Sequence, residues 1–118
     1  MDRLPSHYQT IADLADGIRK GDMTSTQLVQ NLLDRISRLD GELNAFRLTC
    51  PERAVEQAAA ADRQIRDGKD PGLLHGIPYV VKDLFDVKGL PTTAGASLLD
   101  NNIAAADAHA VSRLNRAG

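Results

Sequence analysis

The sequence predicts an α/β fold, with N-terminal helices leading into the first part of a sheet-containing core that stops early. Three observations carry this. Apolar residues recur at helical spacing three times within the first seventy or so residues. The composition then changes at residues 69–76, which hold Pro71, Gly72 and Gly76 and read as a loop. A short apolar run with two valines, residues 77–81, follows, and one more helical pattern closes the chain.

The first helix is expected to start at Thr10, a good N-cap, with Ile11, Leu14, Ala15 and Ile18 on one face. Lys20 and Gly21 suit its end, a cation in the last turn and a glycine just past it. Gly17 inside the pattern weakens it. In the second helix, Thr24 and Gln27 have capping-box spacing. Leu28, Leu32, Ile36 and Leu39 form an apolar stripe widened by Val29 and Leu33, with Asp34, Arg35 and Arg38 opposite. Asp40 and Gly41 are expected to end it. Residues 43–49, with Phe46 and Leu48, are a candidate strand.

Pro51 suits the first turn of a third helix. Ala54, Ala58, Ala61 and Ile65 recur along it, and its alanines form a small-residue face. Asp67 and Gly68 stop it. Residues 77–81 then have the signature of a buried strand, with Pro78 near its start where a missing N–H is tolerable. Residues 84–87 extend it or form a second strand, and residues 89–95 are loop. Asp107 is the expected N-cap of the last helix, which sets Ala108, Val111 and Leu114 on one face. One convincing strand alone leaves backbone groups unpaired on both edges. The pattern reads as a β-α-β unit cut before its next strand. Residues 1–118 are taken as a single domain's portion, 1–72 mainly helical and 73–118 the start of the α/β core.

Composition excludes several functions. The formal net charge is −2 with signs mixed, and the aromatics are two Tyr and two Phe, so nucleic-acid binding has no footprint. Cys50 is the single cysteine, which forbids an internal disulfide and suits a reducing compartment. As a nucleophile it is a poor candidate beside the commoner role of a half-buried small residue. Residues 1–8 lack the apolar core of a signal peptide, and no stretch approaches a membrane span. The expectation is a cytoplasmic protein with no membrane or nucleic-acid partner.

Lys82 is the position whose context invites a mechanism. It follows five largely apolar residues at a strand end. An amine drawn into an apolar setting loses preference for its charged form and becomes available as a general base or nucleophile. The ordinary alternative is a strand-end lysine reaching solvent beside Asp83. His7, His75 and His109 have no second ligand at metal spacing, so no metal and no cofactor are expected. Asp83 and Asp86 are a possible carboxylate pair, although Asp83 suits a local hydrogen-bond acceptor and Asp86 an exposed position. No Gly-x-Ser-x-Gly elbow occurs.

Residues 73–95 read Leu-Leu-His-Gly-Ile-Pro-Tyr-Val-Val-Lys-Asp-Leu-Phe-Asp-Val-Lys-Gly-Leu-Pro-Thr-Thr-Ala-Gly. This stretch closely resembles the region around the catalytic lysine of the amidase signature family. There, a Gly-Ile/Val-Pro element, an apolar strand, Lys-Asp and a threonine-rich glycine loop follow one another. The second helix with Leu43 to Phe46, and the final helix, are also similar to that family's N-terminal part. The resemblance implies an α/β protein whose central mixed sheet is covered by helices on both faces, truncated here. It also implies metal-free hydrolysis of a carbon–nitrogen bond in a small, non-peptide amide. The implied catalyst is a serine, a second serine on a cis peptide and a lysine, with an oxyanion loop of backbone N–H groups. By position only Lys82 of that triad lies in this chain. Ser97 falls in a different motif, and Ala96 stands where many members have serine.

The resemblance therefore implies an amidase when full length, and an inactive 118-residue chain alone. A variant is the A-type subunit of an amidotransferase, a class that works with partner subunits. The competing possibility is a non-catalytic remnant or binding module that docks through its apolar helix stripes. A homo-oligomer is compatible with either.

Overall fold

The computed structural model describes residues 5–69 and 72–118. Pro71 of the expected loop and residues 1–4 lie outside the described residues. The chain divides into two units, one running to Pro78 and taking in Gly118, the other Tyr79–Ala117.

The first unit is helical. After a single 3₁₀ turn at Ser6–Tyr8, α1 spans Ile11–Lys20. Thr10 caps it as predicted, and Asp13 completes a capping box: the Thr10 hydroxyl oxygen accepts from Asp13 N at 3.1 Å, and Asp13 Oδ2 accepts from Thr10 N at 3.3 Å. Gly21 ends the helix at φ +78. Leu14, Ala15 and Ile18 are buried, but Ile11, placed on the same face from the sequence, is 49% exposed. On the outer face Lys20 donates to Asp16 at 2.7 Å, and this hydrogen bond and charge hold the Asp16 carboxyl below its usual range.

Helix α2 spans Ser25–Leu43. Its capping box forms as predicted, with Thr24 N donating to Gln27 Oε1 at 2.9 Å and Gln27 N to Thr24 Oγ1 at 3.0 Å. The helix runs past the predicted stop at Asp40 and Gly41. A glycine inside a helix costs only about 1 kcal/mol, and the left-handed residue that ends α2 is Asn44, at φ 50. The Asp40 carboxylate instead receives Ala45 N at 2.7 Å and Phe46 N at 3.1 Å, turning the chain out of the helix.

Residues 44–50 are not a strand; they connect α2 to α3, Pro51–Arg66. Leu43 and Leu48 are exposed there, without a partner sheet to bury them. Pro51 opens α3, and Ala58 and Ala61 are its buried face, as the alanine spacing predicts. Leu14, Ile18 and Leu28 form the core, with Met23, Leu32, Ile65 and Ile77 packed on it.

Asp62 of α3 joins it to the start of α2. Its carboxylate accepts from Ser25 N at 2.7 Å, Thr26 N at 3.0 Å and Thr26 Oγ1 at 2.6 Å. With Thr24 serving Gln27, the first three N–H groups of α2 are all satisfied.

Among the described residues, the strands predicted at residues 77–81 and 84–87 are not formed. The pairing in the second unit is one antiparallel bridge among the described residues, Pro91 with Ile103. It is flanked by Thr92 N to Asn102 O at 3.0 Å and Ala104 N to Leu90 O at 3.0 Å. A strand needs a neighbour for its N–H and C=O groups, and Val80 and Val81 find none among the described residues. Far from buried, Val80 is 73% exposed.

Helix α4 spans His109–Arg116 and buries Val111. Its N-cap is Ala108, not Asp107. The Asp107 carboxylate is taken by Lys88 N at 2.7 Å and Asn115 Nδ2 at 3.2 Å, which draws it away from the helix start. No described helix is long and apolar enough to cross a membrane.

Candidate active site

Lys82 lies in the second unit at the start of a turn, its carbonyl accepting from Phe85 N at 3.0 Å. The side chain is exposed and makes no hydrogen bond or ion pair to a described residue. Its neighbours along the chain, Tyr79, Val80, Val81, Leu84 and Phe85, are each exposed.

The backbone on either side of Lys82 is anchored at four places. Tyr79 donates its hydroxyl to Asn115 Oδ1 at 2.6 Å, and Asn115 in turn donates to Asp107. Asp83 accepts from Thr93 N at 2.8 Å on one carboxylate oxygen and from the Thr93 hydroxyl on the other, while its carbonyl accepts from Ala94 N at 2.8 Å. Asp86 O accepts from Ala108 N at 2.8 Å, and Lys88 N donates to Asp107. The apolar, buried setting expected for this side chain from the sequence is not found, because Lys82 is exposed.

The threonine-glycine loop is brought against Asp83. Thr93 is buried at 1% exposure, and its hydroxyl oxygen also accepts from Gly95 N at 3.2 Å. Ala94 and Gly95 take φ values of 50 and 77, so the loop turns through two left-handed residues, one of them carrying a Cβ. Asp83 is thus the local acceptor its position suggests, and Asp86 is exposed.

The other candidates lie elsewhere. Ser97 begins a 3₁₀ turn, Ser97–Leu99, and is exposed. His7 packs its ring on Tyr8, with centroids 4.4 Å apart, and His109 is an exposed first residue of α4. His75 is buried in the first unit, with Nε2 3.3 Å from Ala61 O. No cluster of three His, Cys, Asp or Glu side chains suited to a metal occurs among the described residues. Sequence reasoning missed the Asp83–Thr93 clamp and the chain from Tyr79 through Asn115 to Asp107, whose partners are far apart in sequence. The one local signal is the carboxylate beside Lys82.

The family model described as Amidase matches residues 27–118. The chain belongs to the amidase family. Its curated relatives include the A-type subunit of the glutamyl-tRNA(Gln) amidotransferase of Chromohalobacter salexigens, 42% identical over 112 residues, covering 95% of this chain and 23% of that protein. The equivalent protein of Methylococcus capsulatus is 44% identical over 112 residues, with the same coverage. Among solved structures, the native peptide amidase from Stenotrophomonas maltophilia superposes with a TM-score of 0.91 at 37% identity, over 98% of this chain and 24% of that one. This member of the amidase family therefore spans about a quarter of the length of the relatives it matches.

Proposed function

We propose that this chain supplies the general base, Lys82, of an enzyme that hydrolyses amides through a serine, a bridging serine and a lysine. Both serines and the oxyanion loop belong to the remaining length that the relatives have. In that reaction the lysine amine takes a proton from the bridging serine, which takes one from the nucleophilic serine as its oxygen attacks the amide carbonyl. The C–N bond breaks, the amine leaves with a proton returned along the same path, and water releases the acid. Residues 73–118 are the start of the α/β core, and residues 1–72 are the helical part. The 118 residues alone hydrolyse no amide.

The observation that supports this most is the unengaged, exposed Lys82 on a backbone anchored at Tyr79, Asp83, Asp86 and Lys88. Family membership supports the amide as the bond attacked. The test is ammonia release from primary amides by the complete protein. Turnover unaffected by a metal chelator is expected, and a folded complete protein that releases no ammonia from any primary amide overturns the hydrolase assignment.

A second reading is favoured by the two relatives cited, both named as A-type subunits of an amidotransferase. There the same residues release ammonia for transfer, and the protein works beside partner subunits. Amide turnover that appears only when an acyl acceptor and partner subunits are added supports it.

A further inference from the structure

Asp83 is joined to Lys82 by one peptide bond, and three hydrogen bonds tie it to the Thr93–Ala94 step. Both carboxylate oxygens receive donors from Thr93, one from N–H and one from O–H, and the carbonyl receives Ala94 N. Thr93 is 1% exposed, so removing the carboxylate takes a partner from two donors of a buried residue. Charge-assisted bonds of this kind are shorter and stronger than neutral ones. The loop they hold includes Ala94, which carries a Cβ at φ 50, a conformation that costs energy and persists only with support from its surroundings.

We propose that Asp83 is a positioning residue for catalysis: by clamping the Thr93–Ala94 loop it fixes the backbone from which the Lys82 amine reaches the serine it serves. This rests on Lys82 being the base. The carboxylate need not touch substrate or the amine; its effect is the geometry it imposes one residue away. Displacement of a catalytic group by about 1 Å costs on the order of a hundredfold in rate.

The experiment compares Asp83→Ala, Thr93→Val, the double variant and Lys82→Ala in the complete protein, reading kcat, KM and Tm on one amide. Asp83→Ala and Thr93→Val are each expected to lower kcat by about ten- to a hundredfold with KM within about threefold. The double variant falls no further than the worse single one, because both break one clamp. Thr93→Ser recovers most of what Thr93→Val loses, since it restores the hydroxyl. A folded Asp83→Ala or Thr93→Val with kcat within about threefold of the parent overturns the proposal, as do losses that multiply in the double variant. If Asp83→Ala fails to fold, Thr93→Val, which keeps side-chain shape, decides alone. Lys82→Ala separates the two claims. Its retention of activity removes the base assignment and the proposal with it, whereas its inactivity beside an unaffected Asp83→Ala removes only the positioning.

Discussion

The Ser25 hydroxyl donates to the Gly76 carbonyl at 2.6 Å, a buried bond between residues 51 apart in sequence. Gly76 holds this place at φ +77, and a Cβ there would lie 3.1 Å from Ser25 Cβ and 3.2 Å from Ser25 Oγ. Glycine is therefore required twice over, by the backbone and by the neighbour. Gly76→Ala is expected to destabilise the helical unit by about 2–4 kcal/mol. Urea unfolding followed by helical circular dichroism measures this, and an unchanged midpoint would show that the two residues approach each other less closely.

Asp62 holds the first turn of α2 through Ser25 N, Thr26 N and Thr26 Oγ1. Asp62→Ala is expected to cost about 2–3 kcal/mol, the sum of a lost cap and lost bonds to a charged acceptor. Asp62→Asn should recover less than half, because its NH₂ group would face the Thr26 N–H. The same urea titration ranks the three proteins, and full recovery by asparagine would refute the account of the cap.

Ala94 takes φ 50, a value that L side chains adopt at a cost, and its conformation is fixed by Asp83. Ala94→Gly removes that cost but loosens the unfolded chain, so stability is expected to rise by up to about 1 kcal/mol. A fall in Tm would mean that the Ala94 methyl group makes a packing contribution larger than the strain.

The helices are legible in the sequence because their signals are local. Thr24 with Gln27, Gly21 after Lys20, and Pro51 each act within one turn of the residue they cap or stop. The overrun of α2 past Gly41 shows a weak signal losing: glycine is a poor helix former but not a terminator, and Asn44 is the residue that turns left-handed. Residues 77–81 carry an apolar pattern that does not become a strand here. Apolarity can be read from the residues themselves, but pairing depends on a neighbouring strand. Asp107 has the look of a cap, yet its competing donors, Lys88 N and Asn115 Nδ2, come from other turns. Lys82 stands out through its motif. The clamp between Asp83 and Thr93, ten residues apart, needs the folded loop to be visible.

The most direct test is kcat of Lys82→Ala in the complete protein on an amide that the parent turns over. If Lys82 is the base for the serine pair, kcat falls by about 10²–10⁴-fold while helical content and Tm are unchanged. If the folded variant keeps more than about a tenth of the parent's kcat, less than a positioned base contributes, the proton is taken by another group.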